Sequence, residues 1–172
     1  MTNYVALLRG VNLVGKSTLR MADLKAIAGE LGLGAARTFI ASGNLLFTSD
    51  ESEERLRGML EERLRRHMQK DVRILLRTAH EMKQAAAANP FTDAEGSNVQ
   101  VFFLDEPPPI DLLDTVRNQE DERIVAGVRE VYVAYGEKGI GRSRLRIPAA
   151  EAGTARNMNT VEKLAELARE IA

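Results

Sequence analysis

The sequence predicts an α+β protein of two packed ferredoxin-like plaits on the pattern β-α-β-β-α-β, with the second plait incomplete or irregular. Apolar runs and amphipathic stripes follow the order β-α-β-β-α-β within residues 1–77. The turn Ser42-Gly43-Asn44 joins two consecutive strands so tightly that they must run in opposite directions. A similar order of elements follows in the second half, in which the last strand is either missing or borrowed. Elements in this order fold into two layers, an antiparallel sheet and a layer of helices that covers one of its faces.

The first half contains four predicted strands and two predicted helices. They are strand 3–10, helix 21–34, two strands within 36–50, helix 51–69 and strand 72–77. In the second helix, Leu56, Leu60 and Leu64 recur at helical spacing and form one apolar stripe. Gly32 and Gly34 suit the end of the first helix, because glycine commonly terminates helices. These elements complete one plait over residues 1–77.

The second half is predicted to repeat part of that order, without repeating residue identities. Its elements are helix 78–89, strand 98–105, helix 107–118, two strands within 122–136 and helix 160–172. Pro90 stops the first of these helices, and prolines precede the second, where a proline in the first turn is tolerated. We therefore predict a plait-like second half over residues 78–172, closed by the C-terminal helix.

The composition is that of an ordinary globular protein, and it excludes several kinds of site. The 172 residues are 44% hydrophobic and 28% charged, and the net charge of −1 gives no overall attraction to nucleic acid or membranes. The absence of cysteine excludes disulfides, thiolate catalysis and cysteine zinc sites, and only two histidines occur. We therefore predict no metal site and no cofactor. Because the sequence shows no signal peptide and no apolar run of membrane length, we predict a cytoplasmic location.

Residues 10–17, GVNLVGKS, match the spelling of a phosphate loop, G-x-x-x-x-G-K-[ST]. In that role Lys16 would bind the terminal phosphates, Ser17 would ligate Mg²⁺, and Asp105, at the end of an apolar strand, would orient the metal. This alternative is a Mg-nucleotide-dependent enzyme. However, phosphate-loop proteins have parallel sheets. The turn around Gly43 forces an antiparallel pair, and the helical stripe starts only at Met21, so we favour a simple turn.

Six segments of the chain resemble one bacterial family. They are YVALLRGVNLVGK, MADLKAIAGELGL, RTFIASGNLLF, ANPF, GIGRSRL and TARNMNTVEKLAELA. They are similar to the proteins catalogued as domain of unknown function 1697, and the resemblance runs from Tyr4 to near the C-terminus. It implies a pair of ferredoxin-like plaits in one chain and no assigned activity. Related sequences run closer to R-G-I-N-V-G-G-K-N, with no Ser or Thr after the lysine, which weakens a magnesium role for Ser17.

The segments 9–12, 42–44 and 154–160 hold more polar residues than simple turns require. The sequence assigns no function, and the candidate function at these segments is the binding of a small anion such as a phosphate or a carboxylate. The predicted ligand-binding residues are Arg9, Gly10, Asn12, Lys16, Ser42, Asn44, Arg156, Asn157 and Asn159. A helix N-terminus beside Arg9, Lys16 and Arg156 would attract an anion. The prediction requires Arg9, Asn12 and Arg156 to share one cleft. We favour the alternative, in which the asparagines only form turns and helix caps.

A third alternative is RNA binding through the basic segment 137–148, which carries Lys138, Arg142, Arg144 and Arg146. The aromatic strand signature of RNA-binding plaits is missing, and aromatic residues make up only 5% of the chain. We therefore predict a solvated loop here and do not expect nucleic acid as a partner. The sequence assigns no catalytic residue and no definite partner. The candidate partner is the small anion, and no membrane is expected to be involved.

Overall fold

The structure is a computed structural model, and it describes residues 1–11, 19–39 and 43–171. The chain divides into two compact units, Met1–Lys83 with Leu164–Ala172, and Gln84–Lys163. Across the described residues, each unit contains one four-stranded antiparallel sheet, and five helices accompany the two sheets. The predicted α+β class is therefore confirmed. The division into domains 1–77 and 78–172 stays a prediction.

The first unit is built on the plait predicted for the first half. Its elements are β1 (Thr2–Arg9), α1 (Met21–Glu30), β2 (Gly34–Thr38), β3 (Asn44–Ser49), α2 (Glu53–Met68) and β4 (Arg73–Thr78). The sheet order is β2-β3-β1-β4, and every neighbouring pair is antiparallel. This order follows from β-α-β-β-α-β connections whose helices cover one face. As a result, the end of β1 lies beside the start of β4.

Helix α2 forms because its apolar stripe and its capping residue agree. Three leucines of the stripe are fully buried in the core: Leu56, Leu60 and Leu64. The Ser52 hydroxyl accepts a hydrogen bond from the Arg55 amide at 3.2 Å and so caps the first turn. Glu61 faces the edge of the sheet, where its carboxylate accepts the Ile74 amide of β4 at 3.0 Å. This contact protects an edge strand from pairing with another chain.

Strand β2 begins before the range 36–50 in which the sequence predicts it. It begins at Gly34, where a Cβ would come 2.4 Å from the Thr48 hydroxyl oxygen. Its register against β3 shifts between Gly34 and Arg37, around Ala35, whose φ is +48°. Gly34 allows β2 to approach β3 closely, and a bulge follows it. The residues of β2 that pair with β3 therefore begin before the predicted range.

The second unit repeats the strand order of the first with different connections. The remaining elements of the chain are α3 (Ala79–Ala87), β5 (Val99–Phe103), β6 (Arg123–Ala126), β7 (Glu130–Ala134), α4 (Gly139–Arg142), β8 (Thr154–Asn157) and α5 (Met158–Glu170). The sheet order is β6-β7-β5-β8, again with antiparallel neighbours. Helices α3 and α5 contribute residues to both units, so the division of the chain runs through helices and not through a flexible linker.

Two expectations for the second half need correction. The predicted helix over 107–118 is reduced to a 3₁₀ turn, Leu112–Thr115. Each proline at 107–109 disfavours helical backbone in the residue before it, and the backbone is already extended at Val116. The last strand, expected to be missing or borrowed, is present as β8, which places Thr154 opposite Phe103 and Ala155 opposite Phe102. The second sheet is therefore complete, and the irregularity predicted for this plait lies in its connections.

Each unit has its own hydrophobic core. The first lies between the sheet and helices α1 and α2, where Leu24, Ile27 and Phe47 are almost fully buried. In the second unit, one cluster of buried apolar residues consists of Leu104, Leu112, Val131, Val133, Ile147 and Ala150. No helix formed by the described residues has both the length and the apolar character to cross a membrane.

Candidate functional site

The end of β1 holds the first two predicted site residues. Arg9 is the last residue of β1 and lies directly opposite Arg73, the first residue of β4. Residues opposite one another in an antiparallel pair project to the same face of the sheet, so two guanidinium groups share this corner. Gly10 follows with a φ of +72°, a left-handed conformation that turns the chain away from the strand. The Lys70 ammonium donates a hydrogen bond to the Gly10 carbonyl at 3.2 Å.

Three cations, Arg9, Lys70 and Arg73, therefore lie at this end of the first sheet. The Arg9 side chain is partly exposed, and within the described part of the chain it makes no hydrogen bond and no ion pair. Arg73 has a further partner within the protein. Asp71 is the only acid in the connection between α2 and β4. Arg9 and Lys70 are thus the two of these three cations for which the described residues supply no carboxylate partner.

A groove of about 330 Å³ opens beside Lys70, at the C-terminal end of α2. It is lined by Arg65, Arg66, Gln69, Lys70 and Asp71. Two of its arginines share one carboxylate, because Glu62 lies 2.8 Å from Arg65 and 3.5 Å from Arg66. The hydrogen bond from Arg65 holds the pKa of Glu62 below its usual value. Cations here also complement the negative end of the helix dipole, which gives this groove a structural explanation beside a ligand-binding one.

Asn44 is fully buried at the start of β3 and holds the hairpin together. Its side-chain amide donates to the Phe39 carbonyl at 2.9 Å, and its own carbonyl accepts the Phe39 amide at 3.1 Å. The Leu8 amide donates to the Gly43 carbonyl at 2.9 Å, and Gly43 has a φ of +82°. These contacts support the turn alternative at Asn44.

Arg156 lies within β8 in the second unit and is only 7% exposed. Its Nη1 donates to the Thr154 hydroxyl and to the Ala155 carbonyl, each at 2.9 Å. Burial lowers the pKa of Arg156 to about 10, because desolvation disfavours the charged form. Since Arg9 belongs to the first unit and Arg156 to the second, their sharing of one cleft stays a prediction.

Asn157 caps the helix α5. Its side-chain oxygen accepts the Thr160 amide at 2.9 Å and so satisfies one of the amides that the first turn leaves without an intrahelical partner. Asn159 is exposed, and its side-chain oxygen lies close to Gly96, where a Cβ would come within 2.1 Å of it. The capping alternative is therefore supported at Asn157.

Replacing Asn157 by alanine is expected to lower the free energy of unfolding by about 1 kcal/mol, because the first turn of α5 loses its side-chain cap. The matched change Asn159→Ala is expected to stay within roughly 0.5 kcal/mol of the wild type, since that side chain is exposed. Urea unfolding followed by circular dichroism measures both variants. Equal losses in the two variants would contradict a capping role specific to Asn157.

Three predicted site residues, Asn12, Lys16 and Ser42, lie outside the described residues. The elements around them are described. Strand β1 is antiparallel to both of its neighbours, and α1 begins only at Met21. A phosphate loop joins a parallel strand to a helix that starts at its Gly-Lys pair. The described elements therefore do not supply the surroundings that the nucleotide-enzyme alternative needs.

Asp105, which that alternative uses to orient a metal, lies in the second unit just after β5. Its carbonyl accepts a hydrogen bond from Arg129 Nε at 3.0 Å. Among the described residues, no three histidine or acidic side chains gather as metal ligands. The phosphate-loop segment belongs to the first unit, so the two parts of the nucleotide-enzyme alternative fall in different units.

Comparison with known proteins decides the family. The model of the family described as "Protein of unknown function (DUF1697)" matches residues 1–132, well over half of the chain. The chain belongs to this family. The match includes the candidate residues of the first unit, whereas Arg156, Asn157 and Asn159 of this DUF1697 protein lie beyond it. No curated protein matches the chain.

A solved structure with a similar fold is that of a conserved bacterial protein from Streptococcus pneumoniae. It is 23% identical to this DUF1697 protein, covers 99% of this chain and 99% of its own, and superposes with a TM-score of 0.79. Similarity at this level establishes the fold. Because one fold hosts many functions, it assigns no ligand.

The basic segment of this DUF1697 protein has carboxylate partners. Lys138 pairs with Glu120, and Arg146 pairs with Glu151 at 2.7 Å. On the neighbouring sheet, Phe103 is fully buried and Phe102 packs against the core of the second unit. RNA-binding plaits instead present aromatic rings on an open sheet face. These contacts favour a solvated segment over an RNA-binding one. The prediction of a loop throughout is wrong, because Gly139–Arg142 form helix α4 within the segment.

Sequence reasoning missed Lys70 and Arg73 in this DUF1697 protein. Both are charged residues after a helix, where such residues are ordinarily solvated. The signal that could have found them is topological. In the predicted plait the last strand runs antiparallel beside the first, which brings the residues before and at the start of β4 to the end of β1, where Arg9 lies.

Proposed function

We propose that this chain binds a small anion, a phosphate or a carboxylate, at the end of β1. The observation that carries the proposal is Arg9, a partly exposed cation without a counter-charge among the described residues, opposite Arg73 and near Lys70. Asn12 and Lys16 follow Gly10 within a few residues of sequence, and we include them in the proposed site on that ground.

Electrostatics support an anion at this corner of the sheet. Like charges directly opposite one another on adjacent strands destabilise a sheet, and Arg9 and Arg73 have this arrangement. An anion beside them replaces repulsion by charge-assisted hydrogen bonds, because a guanidinium presents parallel N–H groups to phosphate or carboxylate oxygens. Arg73 has a partner elsewhere in the protein, so the proposal depends on Arg9.

The backbone after β1 also supports the proposal. Gly10 turns the chain with a φ of +72°, and no described atom lies within 4 Å of the position that its Cβ would take. The Lys70 ammonium is held at the Gly10 carbonyl, so its positive charge lies beside the same turn. The described residues thus leave room for a small ligand next to two positive charges.

Substituting Arg9 by glutamine is expected to weaken the binding of inorganic phosphate about tenfold or more, because a hydrogen bond to a charged group contributes about 1.5–3 kcal/mol. The matched control is Arg37→Gln, which removes an exposed arginine from β2 of the same sheet. Isothermal titration calorimetry at constant ionic strength measures the affinities, and urea unfolding verifies that both variants remain folded.

Two results would contradict the anion site. One is the absence of saturable phosphate or acetate binding to the wild-type protein. The other is an equal loss of affinity in Arg37→Gln, which would indicate a general charge effect on the surface. A third result, ATP binding that requires Mg²⁺ and is abolished by Lys16→Ala, would favour the nucleotide-enzyme alternative instead.

A further inference from the structure

Strand β6 is an edge strand with exposed apolar residues. It is the outermost strand in the order β6-β7-β5-β8, and within the described chain only β7 pairs with it. Val125 is 40% exposed, and Val128 in the turn after β6 is 80% exposed. Among the four residues of β6, RIVA, none is proline and only Arg123 is charged, so the edge carries little of the proline and charge with which proteins commonly prevent pairing.

The outward backbone groups of β6 belong to Ile124 and Ala126. The Gly127 amide donates to the Glu130 carbonyl at 2.7 Å, so residues 127 and 130 form a hydrogen-bonded pair. Bonded and non-bonded pairs alternate along antiparallel strands. The backbone of Val125 therefore bonds to β7. The residues on either side of it direct their amides and carbonyls to the opposite side of β6, away from β7. Over the described parts of the chain, these groups of Ile124 and Ala126 have no partner.

We propose that β6 pairs with β6 of a second copy of this chain, antiparallel, about a two-fold axis through Val125. In this register Ile124 of each copy lies opposite Ala126 of the other, and each such pair exchanges two backbone hydrogen bonds. Every outward group of β6 then has a partner, and the interface is self-complementary, as a two-fold axis requires. Val125 lies opposite its own copy at a non-bonded pair, where side chains approach most closely.

The two neighbouring registers are less favourable. If the two-fold axis passed through Ala126 instead, Arg123 would lie opposite Arg129 of the other copy. Like charges directly opposite each other are destabilising. If the axis passed through Ile124, Ala126 would lie opposite Glu122 of the other copy. The Glu122 carbonyl already accepts a hydrogen bond from the Gln119 side chain at 2.7 Å. Only the register centred on Val125 avoids both problems.

The proposed register also brings opposite charges together. Arg123 of one copy lies opposite Gly127 of the other, so it meets no like charge. Asp121, an exposed carboxylate just before β6, is brought beside the turn of the other copy, which carries Arg129. Complementary charges at the ends of an interface select the register and the partner.

A single introduced thiol tests this register, because the chain contains no cysteine. The Cα separation at a non-bonded antiparallel pair falls within the range of a disulfide. With a mild oxidant, Val125→Cys is expected to form a covalent dimer in high yield on a non-reducing gel. The matched control is Ile110→Cys, a fully exposed apolar residue outside β6, which is expected to remain monomeric under the same conditions.

Sedimentation velocity over a range of concentrations measures the dimer without a cross-link. The wild type is expected to shift from monomer to dimer, and Val125→Lys, which places two ammonium groups opposite each other, is expected to raise the dimer Kd more than tenfold. Ala126→Pro removes one outward amide at an edge position that tolerates proline, and it is expected to have the same effect. Circular dichroism verifies the fold of each variant. A wild type that stays monomeric throughout, or equal cross-linking of Val125→Cys and Ile110→Cys, would overturn the proposal.

Discussion

Gly153→Ala is expected to lower the free energy of unfolding by about 3 kcal/mol, because an added Cβ would overlap a neighbouring strand. That Cβ would lie 2.3 Å from the Phe103 carbonyl oxygen and 2.9 Å from Leu104 Cδ2. The carbonyl belongs to the backbone of β5 and cannot rotate away as a side chain can. For a protein of this size the expected fall in Tm is roughly 6 to 12 °C, measured by differential scanning calorimetry.

The control for Gly153→Ala is Gly58→Ala, in the exposed middle of α2. No described atom lies within 4 Å of a Cβ at Gly58, and alanine in a helix interior stabilises by about 0.5–1 kcal/mol relative to glycine. The two variants are therefore expected to change stability in opposite directions. An unchanged Tm in Gly153→Ala would mean that the chain before β8 does not approach β5, and it would contradict the completed second sheet.

Glu122→Gln is expected to lower the free energy of unfolding by about 2 kcal/mol at neutral pH, because a buried charged acceptor with two hydrogen bonds is lost. Glu122 is only 5% exposed. Its carboxylate accepts the Glu120 amide at 2.8 Å and the Ser143 hydroxyl at 2.9 Å. It thereby ties the segment before β6 to the residue that follows α4. The amide nitrogen of glutamine cannot accept either hydrogen bond.

The loss in Glu122→Gln is expected to depend on pH. Burial works to raise the pKa of Glu122, but the hydrogen bonds from the Glu120 amide and the Ser143 hydroxyl outweigh it and hold the pKa below its usual value. A carboxyl whose pKa is lower in the folded state stabilises the protein above the unfolded pKa and loses that contribution as the pH falls. The difference between wild type and Glu122→Gln should therefore shrink below the ordinary glutamate range.

Urea unfolding across a pH series measures this effect, with Glu120→Gln as the control. Glu120 is exposed and pairs with Lys138, and an exposed ion pair contributes about 0–1 kcal/mol. A loss in Glu122→Gln that stays constant down to acidic pH would show that the carboxylate charge is not what stabilises this region.

Much of the fold was predictable from the sequence, because local pattern and tertiary packing agree. Leu56, Leu60 and Leu64 predict α2 from their spacing, and the same residues are buried. Strand β8 could not be predicted in this way. Its residues Thr154–Asn157 are few and mostly polar, and their extended conformation is set by pairing with β5, a partner far away in sequence.

The candidate site was predictable at Arg9 and ambiguous at the asparagines. An arginine and a glycine at the end of an apolar strand stand out in the sequence, and the structure leaves Arg9 without a counter-charge among the described residues. Asparagine serves turns, caps and ligands equally, so only the contacts of Asn44 and Asn157 show that they hold a hairpin and a helix. Lys70 needs the sheet topology to be placed beside Gly10.

The central claim, an anion site at the end of β1, is tested most directly by a phosphate titration of ¹⁵N-labelled protein monitored by NMR at constant ionic strength. We expect saturable amide shifts concentrated at residues 9–11 and 70–73, with a single dissociation constant for all of them. Phosphate-induced shifts that lie elsewhere, or that rise linearly without saturation at these residues, would contradict the account.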